Sequence, residues 1–393
     1  PNGKAGARNY VLLLPVNRSL NFIASNVERM TRNTHHFEIP AETGRTEVDR
    51  EVIARTLIGL MNNANVGGIV LLAGKSGAGS AYKNMCAERF EEEARKTGKP
   101  FRIVYLTNVG GSYNMLGETL RLTREVLLEV SDFRRENCPL SALTLGVKCG
   151  TSDATSGIAG NPCVGAAFDQ LIRAGGTAFF SETTEIIGAE DLVAKRAVNE
   201  SLAKKILSAA RHWEDKAKAT GEDIRKINPI PANIAAGISS LEEKSLGAIA
   251  KSGTSPIQDV LKYAEMPKGS GLYFVDSWMS SLSLPLCLTA CGATIMLYQM
   301  GGGKIAQHPM MPSINPTVVS PFLYLTGNAI AYSRAPDNFD FDASPIMTEG
   351  ASIPEMGTKL LEHLSAIASG TMTKMETLNY AEQLELYMEG PVL

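Results

Sequence analysis

Lys148-Cys149-Gly150-Thr151-Ser152-Asp153-Ala154-Thr155-Ser156-Gly157-Ile158-Ala159-Gly160-Asn161-Pro162 is the stretch whose reading decides the fold. The apolar run Leu143 to Val147 before it has the makeup of a short buried strand. Val164 to Ile172 after it has the apolar spacing of a helix. Between them stand a cation, a thiol, an acid, four small hydroxyls and three glycines. Turns need glycine, but they do not need that density of hydrogen-bonding side chains. A strand, a polar loop and a helix in that order place the loop at the carboxyl end of a strand, where open α/β sheets bind ligands. The plainer alternative is a glycine-rich turn whose hydroxyls cap the next helix.

The same alternation extends outward in both directions. Tyr10 to Val16, Gly68 to Ala73 and Phe101 to Leu106 read as strands, with helical patterns through Ile23, Val27 and Met30, over Lys83 to Lys99, and over Leu116 to Val130. Charge and proline break the pattern at Arg134-Arg135-Glu136-Asn137-Cys138-Pro139, which sets expected domains at 1–137 and 138–393. In the second, Thr177 to Phe180, Leu272 to Val275 and Ala293 to Tyr298 join Leu143 to Val147 as strands. A long helix is expected from about Ala189 to Ala219, an extended loop over Ile224 to Ala236, an apolar helix near Ser283 to Cys291 and an amphipathic helix over Met356 to Ile367. The fold class is therefore α/β, with parallel sheets covered by helices on both faces and Rossmann-like units in tandem.

Composition narrows the function. The chain has 393 residues, 44% apolar and 20% charged, with a net charge of −3, so no electrostatic field favours nucleic acid or an anionic membrane surface. No apolar run reaches the length of a membrane span, and Pro1 to Arg8 lacks the apolar core of a signal peptide. Six cysteines with no paired spacing read as reduced thiols of a cytoplasmic protein. Cys287 and Cys291 read as small buried hydrophobes on one helix face.

Four loops after strands of the second unit carry the chemistry. In the first, Lys148 and Asp153 are candidates for proton transfer, and Ser152, Ser156 and Asn161 for substrate hydrogen bonds. In the second, Ser181-Glu182-Thr183-Thr184-Glu185, two carboxylates three apart could bind a divalent cation or act as acid and base. Glu185 could equally favour the first turn of the next helix through its dipole. In the third, Asp276 is either a metal ligand or a helix cap. In the fourth, Gly301-Gly302-Gly303-Lys304 could close backbone N–H groups of Gly302 and Gly303 on an anion, with Lys304 adding charge and His308 close behind. Asp153, Glu182, Glu185, Asp276 and His308 are thus the expected metal ligands. Neither Gly74-Lys75-Ser76 nor Gly77-Ala78-Gly79 completes a nucleotide-binding fingerprint. Acids that could hold a cation, beside an anion-binding loop, suit proton removal α to a carboxylate followed by β-elimination. Aldol cleavage draws on the same groups, and a non-catalytic substrate-binding subunit or metabolite sensor is the alternative from another class.

Three runs, two of them already described, carry a resemblance. Lys148 to Asp153 with Ser156-Gly157 and Asn161-Pro162, Ser181 to Glu185 with Gly188-Ala189-Glu190, and Gly237-Ile238-Ser239-Ser240-Leu241-Glu242-Glu243-Lys244-Ser245-Leu246-Gly247 occur in the order found in the altronate/galactarate dehydratase family. From Gly6-Ala7-Arg8-Asn9-Tyr10 to about Asn315 the chain resembles the large catalytic part of that family. The resemblance implies a lyase that removes water from a sugar acid with Fe²⁺ or Mn²⁺, Mg²⁺ being a third choice. A relative, the large subunit of (2R)-sulfolactate sulfo-lyase, expels sulfite instead. Ala41-Glu42-Thr43-Gly44-Arg45 stands where sugar-acid dehydratases often carry Gly-Cys-Gly, and their small extra N-terminal domain is not expected here. Both points resemble the two-subunit sulfo-lyase layout. They imply a small anionic hydroxy-acid substrate, a separate small partner subunit and a homo-oligomer.

Overall fold

The computed structural model describes residues 3–75, 82–302, 315–378 and 385–390. Strands β1 (Tyr10–Pro15), β2 (Thr34–His36), β3 (Val66–Ala73) and β4 (Phe101–Tyr105) form a four-stranded parallel sheet in the order β2-β1-β3-β4. A second parallel sheet has seven strands: β5 (Thr144–Gly150), β6 (Thr177–Phe180), β7 (Ile257–Leu261), β8 (Gly271–Val275), β9 (Ile295–Met300), β10 (Phe322–Thr326) and β11 (Phe341–Asp342). Its order is β11-β10-β9-β5-β6-β8-β7. Every residue of β3, β8, β9 and β10 is buried, as strands covered on both faces require.

The chain starts the second sheet at β5, adds β6, lays β7 at the edge and inserts β8 between β6 and β7, then returns to build β9, β10 and β11 on the other side. The order therefore reverses between β5 and β9, and open α/β sheets bind ligands at the carboxyl ends of the strands at such a switch point.

The two sheets share a hydrophobic core. Leu12, Phe37, Ile53 and Leu60 from the first part pack in one cluster with Leu261, Leu284, Tyr298 and Tyr324 from the second. The helix Glu47–Asn62 meets the helix Ser283–Ala290 so closely that a Cβ on Gly59 would lie 2.2 Å from the Ala290 carbonyl oxygen. Polar groups fasten the same seam: Asn63 Nδ2 donates to the Thr289 and Ala293 carbonyls, at 2.9 Å each, and Asn65 Nδ2 to Thr294 O at 2.9 Å. On the other face of the second sheet, the helix Ile353–Ala368 lies on the helix Asn161–Arg173.

Two sequence expectations need correction. The helix expected from Ala189 to Ala219 is two helices, Glu190–Ala194 and Glu200–Ala219. Between them Ala197 bridges to Ile257 of β7, and Asn199 caps the second helix by accepting from Leu202 N at 2.9 Å. Tertiary pairing broke a run whose charge pattern was continuous. The segment Ile224 to Ala236 is not extended: it holds the short helices Ile224–Ile227 and Pro231–Ala235. Asp223 caps the first, and Pro231 opens the second at the position where proline fits a helix.

Candidate active site

The carboxyl end of β5 delivers Lys148 and Cys149 to a buried cluster of charge. The turn after β6 delivers Glu182 and Glu185. Glu182 sits at φ 75°, a left-handed conformation unusual for a side chain larger than glycine. That turn folds its carboxylate back over the end of β5. Cys149 N donates to Glu182 Oε2 at 3.1 Å, and Lys148 Nζ donates to Glu182 Oε1 at 2.9 Å. Thr151, three residues past Lys148, also has a positive φ of 46°. Strained backbone of this kind collects where side chains must be aimed.

Two more lysines complete the cluster. Lys251, from the turn Ala250–Ser252, donates to Glu182 Oε2 and to Cys149 Sγ, the latter at 3.1 Å, and lies 3.8 Å from Glu185. Lys244, on the helix Leu241–Ile249, pairs with Glu185 at 3.1 Å and donates to Asn228 Oδ1 at 2.7 Å. All six side chains are buried, Glu182 fully.

Burial this deep opposes charge, so the neighbours decide protonation. For Lys148, burial pulls the pKa down, but Glu182, then Tyr298, Glu185 and Cys149 outweigh it and raise it above the ordinary lysine value. Lys251 behaves alike: burial opposes its charge, and Cys149, Glu182 and Glu185 more than restore it. Burial raises the Cys149 thiol, and Glu182 and Glu185 raise it further against the pull of the lysines. Glu185 is disfavoured by burial, yet Lys244, Lys251 and Lys148 hold its carboxyl below the usual range.

Of the residues expected from sequence, the structure gathers Lys148, Glu182 and Glu185 here. None of the other described candidates bonds to this cluster's charged side chains in the contacts given below. Asp153 closes a turn: its Oδ1 accepts from Thr155 Oγ1 at 2.6 Å and Ser156 N at 3.1 Å, and its Oδ2 from Asn328 Nδ2 at 2.8 Å. Ser156 Oγ answers by accepting from Asp153 N at 3.2 Å. Ser152 is buried, and its carbonyl accepts from Asn233 Nδ2. Asn161 Nδ2 donates to Gly247 O, while its Oδ1 is buried with no partner. Asp276 Oδ1 accepts from Thr183 Oγ1 at 2.7 Å and from Trp213 Nε1 at 2.9 Å, one residue away from Glu182. Gly302 has a positive φ of 87°, and its N–H donates to Thr151 O. Gly303, Lys304 and His308 lie outside the described residues.

Three members of the cluster were missed. Lys244 had a signal: Leu241, Lys244, Ser245 and Ala248 share the buried face of one helix, where a lysine is out of place. Cys149 stood within the polar stretch that opens at Lys148 but was not singled out, and Lys251 carried no local signal.

Cys149, Glu182 and Glu185 each offer an atom that lies within 4.8 Å of the other two, the one such group among the described residues. The thiol sulfur is 3.4 Å from Glu182 Oε2 and 3.2 Å from Glu185 Oε2. Donors on a cation at roughly 2.0–2.3 Å stand about that far apart, so the residues fit a divalent metal. Lys251 already answers two of these donors with positive charge.

Residues 1–131 match the second domain of D-galactarate dehydratase/altronate hydrolase, and residues 140–391 the C-terminal domain of D-galactarate/altronate dehydratase. The chain is 31% identical over 387 residues to (2R)-sulfolactate sulfo-lyase subunit beta of Chromohalobacter salexigens, covering 97% of this chain and 94% of the relative. It is 29% identical to altronate dehydratase of Bacillus subtilis, covering 100% of this chain and 77% of that one. With galactarate dehydratase (L-threo-forming) of Escherichia coli the identity is 32%, over 86% of this chain and 63% of that one. The chain therefore belongs to the D-galactarate/altronate dehydratase family, and its chemistry is that of a carbon–oxygen or carbon–sulfur lyase.

Proposed function

We propose that the chain catalyses β-elimination, of water or of sulfite, from a small α-hydroxy carboxylate, with Fe²⁺ or Mn²⁺ held by Cys149, Glu182 and Glu185. The observation that supports this best is the packing of one thiol, two carboxylates and three ammonium groups at the switch point of a parallel sheet. A cysteine sulfur among carboxylates suits Fe²⁺ better than Mg²⁺, which takes oxygen donors. When bound, the cation would supply Lewis-acid stabilisation of the charge that builds on the substrate carboxylate.

The chain's own residues account for the proton movements. Lys148 and Lys251 are kept as ammonium groups by the glutamates, which suits them to donate hydrogen bonds to a developing enediolate. Of the candidates for proton transfer, Lys148 could act as base only in its neutral form, and the carboxylates around it oppose that form. The role passes to Glu182, which would hold the cation through Oε2, the oxygen beside Cys149, and take the α-proton on Oε1, the oxygen beside Lys148. The departing β-hydroxyl then takes a proton from Lys148 and leaves as water; sulfite leaves with its electron pair and needs none. The 2.9 Å hydrogen bond from Lys148 to Glu182 lets one proton transfer reset both groups. Asp153 and Asp276 hold the turns that carry these residues. The relative named as a beta subunit supports a separate small partner for this chain as well.

The test is an anaerobic turnover assay with Fe²⁺, Mn²⁺ or Mg²⁺ on sulfolactate and on a series of aldonates and aldarates, following 2-keto acid and sulfite. Formation of a 2-keto acid with an intact carbon skeleton is the expected result. Cleavage of the skeleton would instead mark an aldolase. Silence with every metal and substrate, with the small subunit added, would mark a binding subunit.

A further inference from the structure

Gln299 is the buried polar side chain the chemistry above leaves unused. It lies on β9 directly opposite Cys149 of β5, across the point where the strand order reverses. Paired residues on neighbouring strands stand about 4.8 Å apart and project to the same face. Gln299 is 0% exposed, and neither its Oε1 nor its Nε2 has a hydrogen-bond partner. A buried carboxamide that bonds nothing is costly to a fold, and an apolar side chain of the same length would remove the cost.

The backbone around it is shaped to hold it. Ser156–Gly160 forms a π-helical turn, a feature concentrated at functional sites. A Cβ on Gly160 would lie 2.3 Å from Gln299 Nε2 and 2.7 Å from Cδ, so only glycine leaves the amide its room. Thr151 Oγ1, Asn161 Oδ1, Thr184 Oγ1 and Ser277 Oγ are buried without partners too; Thr151 and Ser277 follow β5 and β8 directly, Thr184 lies in the helical turn after β6, and Asn161 opens the helix Asn161–Arg173. The charged side chains nearby are paired with one another, whereas these unpaired groups are all neutral.

We infer that Gln299, seated against Gly160, reads a hydroxyl group of the substrate and so sets which hydroxy acids the site accepts. A carboxamide offers both a donor and an acceptor, and a hydroxyl needs both. A carboxylate or sulfonate only accepts, and it would be drawn to the ammonium groups instead. The inference rests on the same site acting on a hydroxy acid, but it concerns binding and does not require that elimination occur.

The test measures binding by calorimetry on the Mn²⁺-loaded chain, with lactate, glycerate, erythronate, gluconate and sulfolactate. Each is run on the wild type, Gln299→Met and Gly160→Ala. Methionine keeps the length and removes the amide's hydrogen bonds; the alanine methyl pushes the amide out of place. The wild type should bind a polyhydroxy acid at least about 10-fold more tightly than lactate, and both variants should lose that preference. Gln299→Met should unfold at the same temperature as the wild type or higher. Unchanged preference in Gln299→Met, or no preference in the wild type, would overturn the inference. So would a marked fall in its unfolding temperature, which would make Gln299 a structural residue. Loss of preference in a chain that forms no 2-keto acid would keep the inference and refute the proposed elimination.

Discussion

Each sheet of the molecule has buried lysine beside it, and the two regions treat it in opposite ways. Lys99, next to the four-stranded sheet, donates to the carbonyls of Met61 and Asn63, at 2.6 and 2.7 Å, at the carboxyl end of the helix Glu47–Asn62. It faces neutral acceptors. Burial, with Lys4 adding repulsion, pulls its pKa down to about 7. Lys148 and Lys251, at the end of the seven-stranded sheet, are buried at least as deeply, yet their pKa values rise, Lys148's chiefly through Glu182 and Lys251's through Cys149, Glu182 and Glu185. Burial alone therefore does not set the charge of a lysine; a carboxylate within reach does. Lys99 caps a helix. Lys148 and Lys251 are charges held by buried carboxylates.

The sharpest way to break that contrast is Glu182→Gln, which leaves two buried ammonium groups without their carboxylate. Urea unfolding should show a loss of about 3–5 kcal/mol, and turnover should disappear. A loss below about 1 kcal/mol would mean that the lysines are held by something else. Lys244→Met should cost less, because Lys251 still stands 3.8 Å from Glu185. Its effect should depend on pH. Glu185 is depressed in the folded state, so it contributes stability above the unfolded carboxylate pKa and loses it as pH falls through the folded value. Without Lys244 the folded value rises, and the midpoint of acid unfolding should move up by roughly one pH unit.

Lys99→Met should be milder still. The depressed lysine takes up a proton on unfolding between about pH 7 and its unfolded value. Wild-type stability should therefore rise with pH across that window, by at most about 1.4 kcal/mol per pH unit. The Lys99→Met chain should be flat there, with turnover unchanged; an equal slope in both chains would contradict the reading. The smallest effect is expected from Asp276→Asn, whose Oδ1 can still accept from Thr183 and Trp213. Stability should fall by about 1 kcal/mol or less, with turnover within a few-fold. A collapse in turnover would put Asp276 in the chemistry.

Much of this was legible in the sequence. Strand–loop–helix alternation around Lys148 gave the parallel sheets, and acids at strand ends pointed to Glu182 and Glu185. Lys244 was legible from its place on an apolar helix face. The rest depends on contacts that no local pattern carries. The break at Lys195–Asn199 comes from Ala197 pairing with Ile257, sixty residues on. Cys149 and Lys251 join the cluster because Glu182 turns back through a left-handed conformation, and sequence shows only an acid after a strand. Asp153 and Asp276 had the same signature as Glu182, since an acid at a strand's end serves equally well as ligand or as cap. What separates them is which donors lie in reach: hydroxyl, amide and indole groups for Asp153 and Asp276, ammonium groups for Glu182.

The most direct measurement is an anaerobic titration with Co²⁺, which reports a thiolate ligand by charge-transfer absorption in the near ultraviolet, read alongside metal content after desalting. Wild-type chain should show the band and retain one ion per chain. Cys149→Ser should lose the band, and Glu185→Gln should retain much less metal. An equal band and equal metal content in all three would contradict a cation held by Cys149, Glu182 and Glu185.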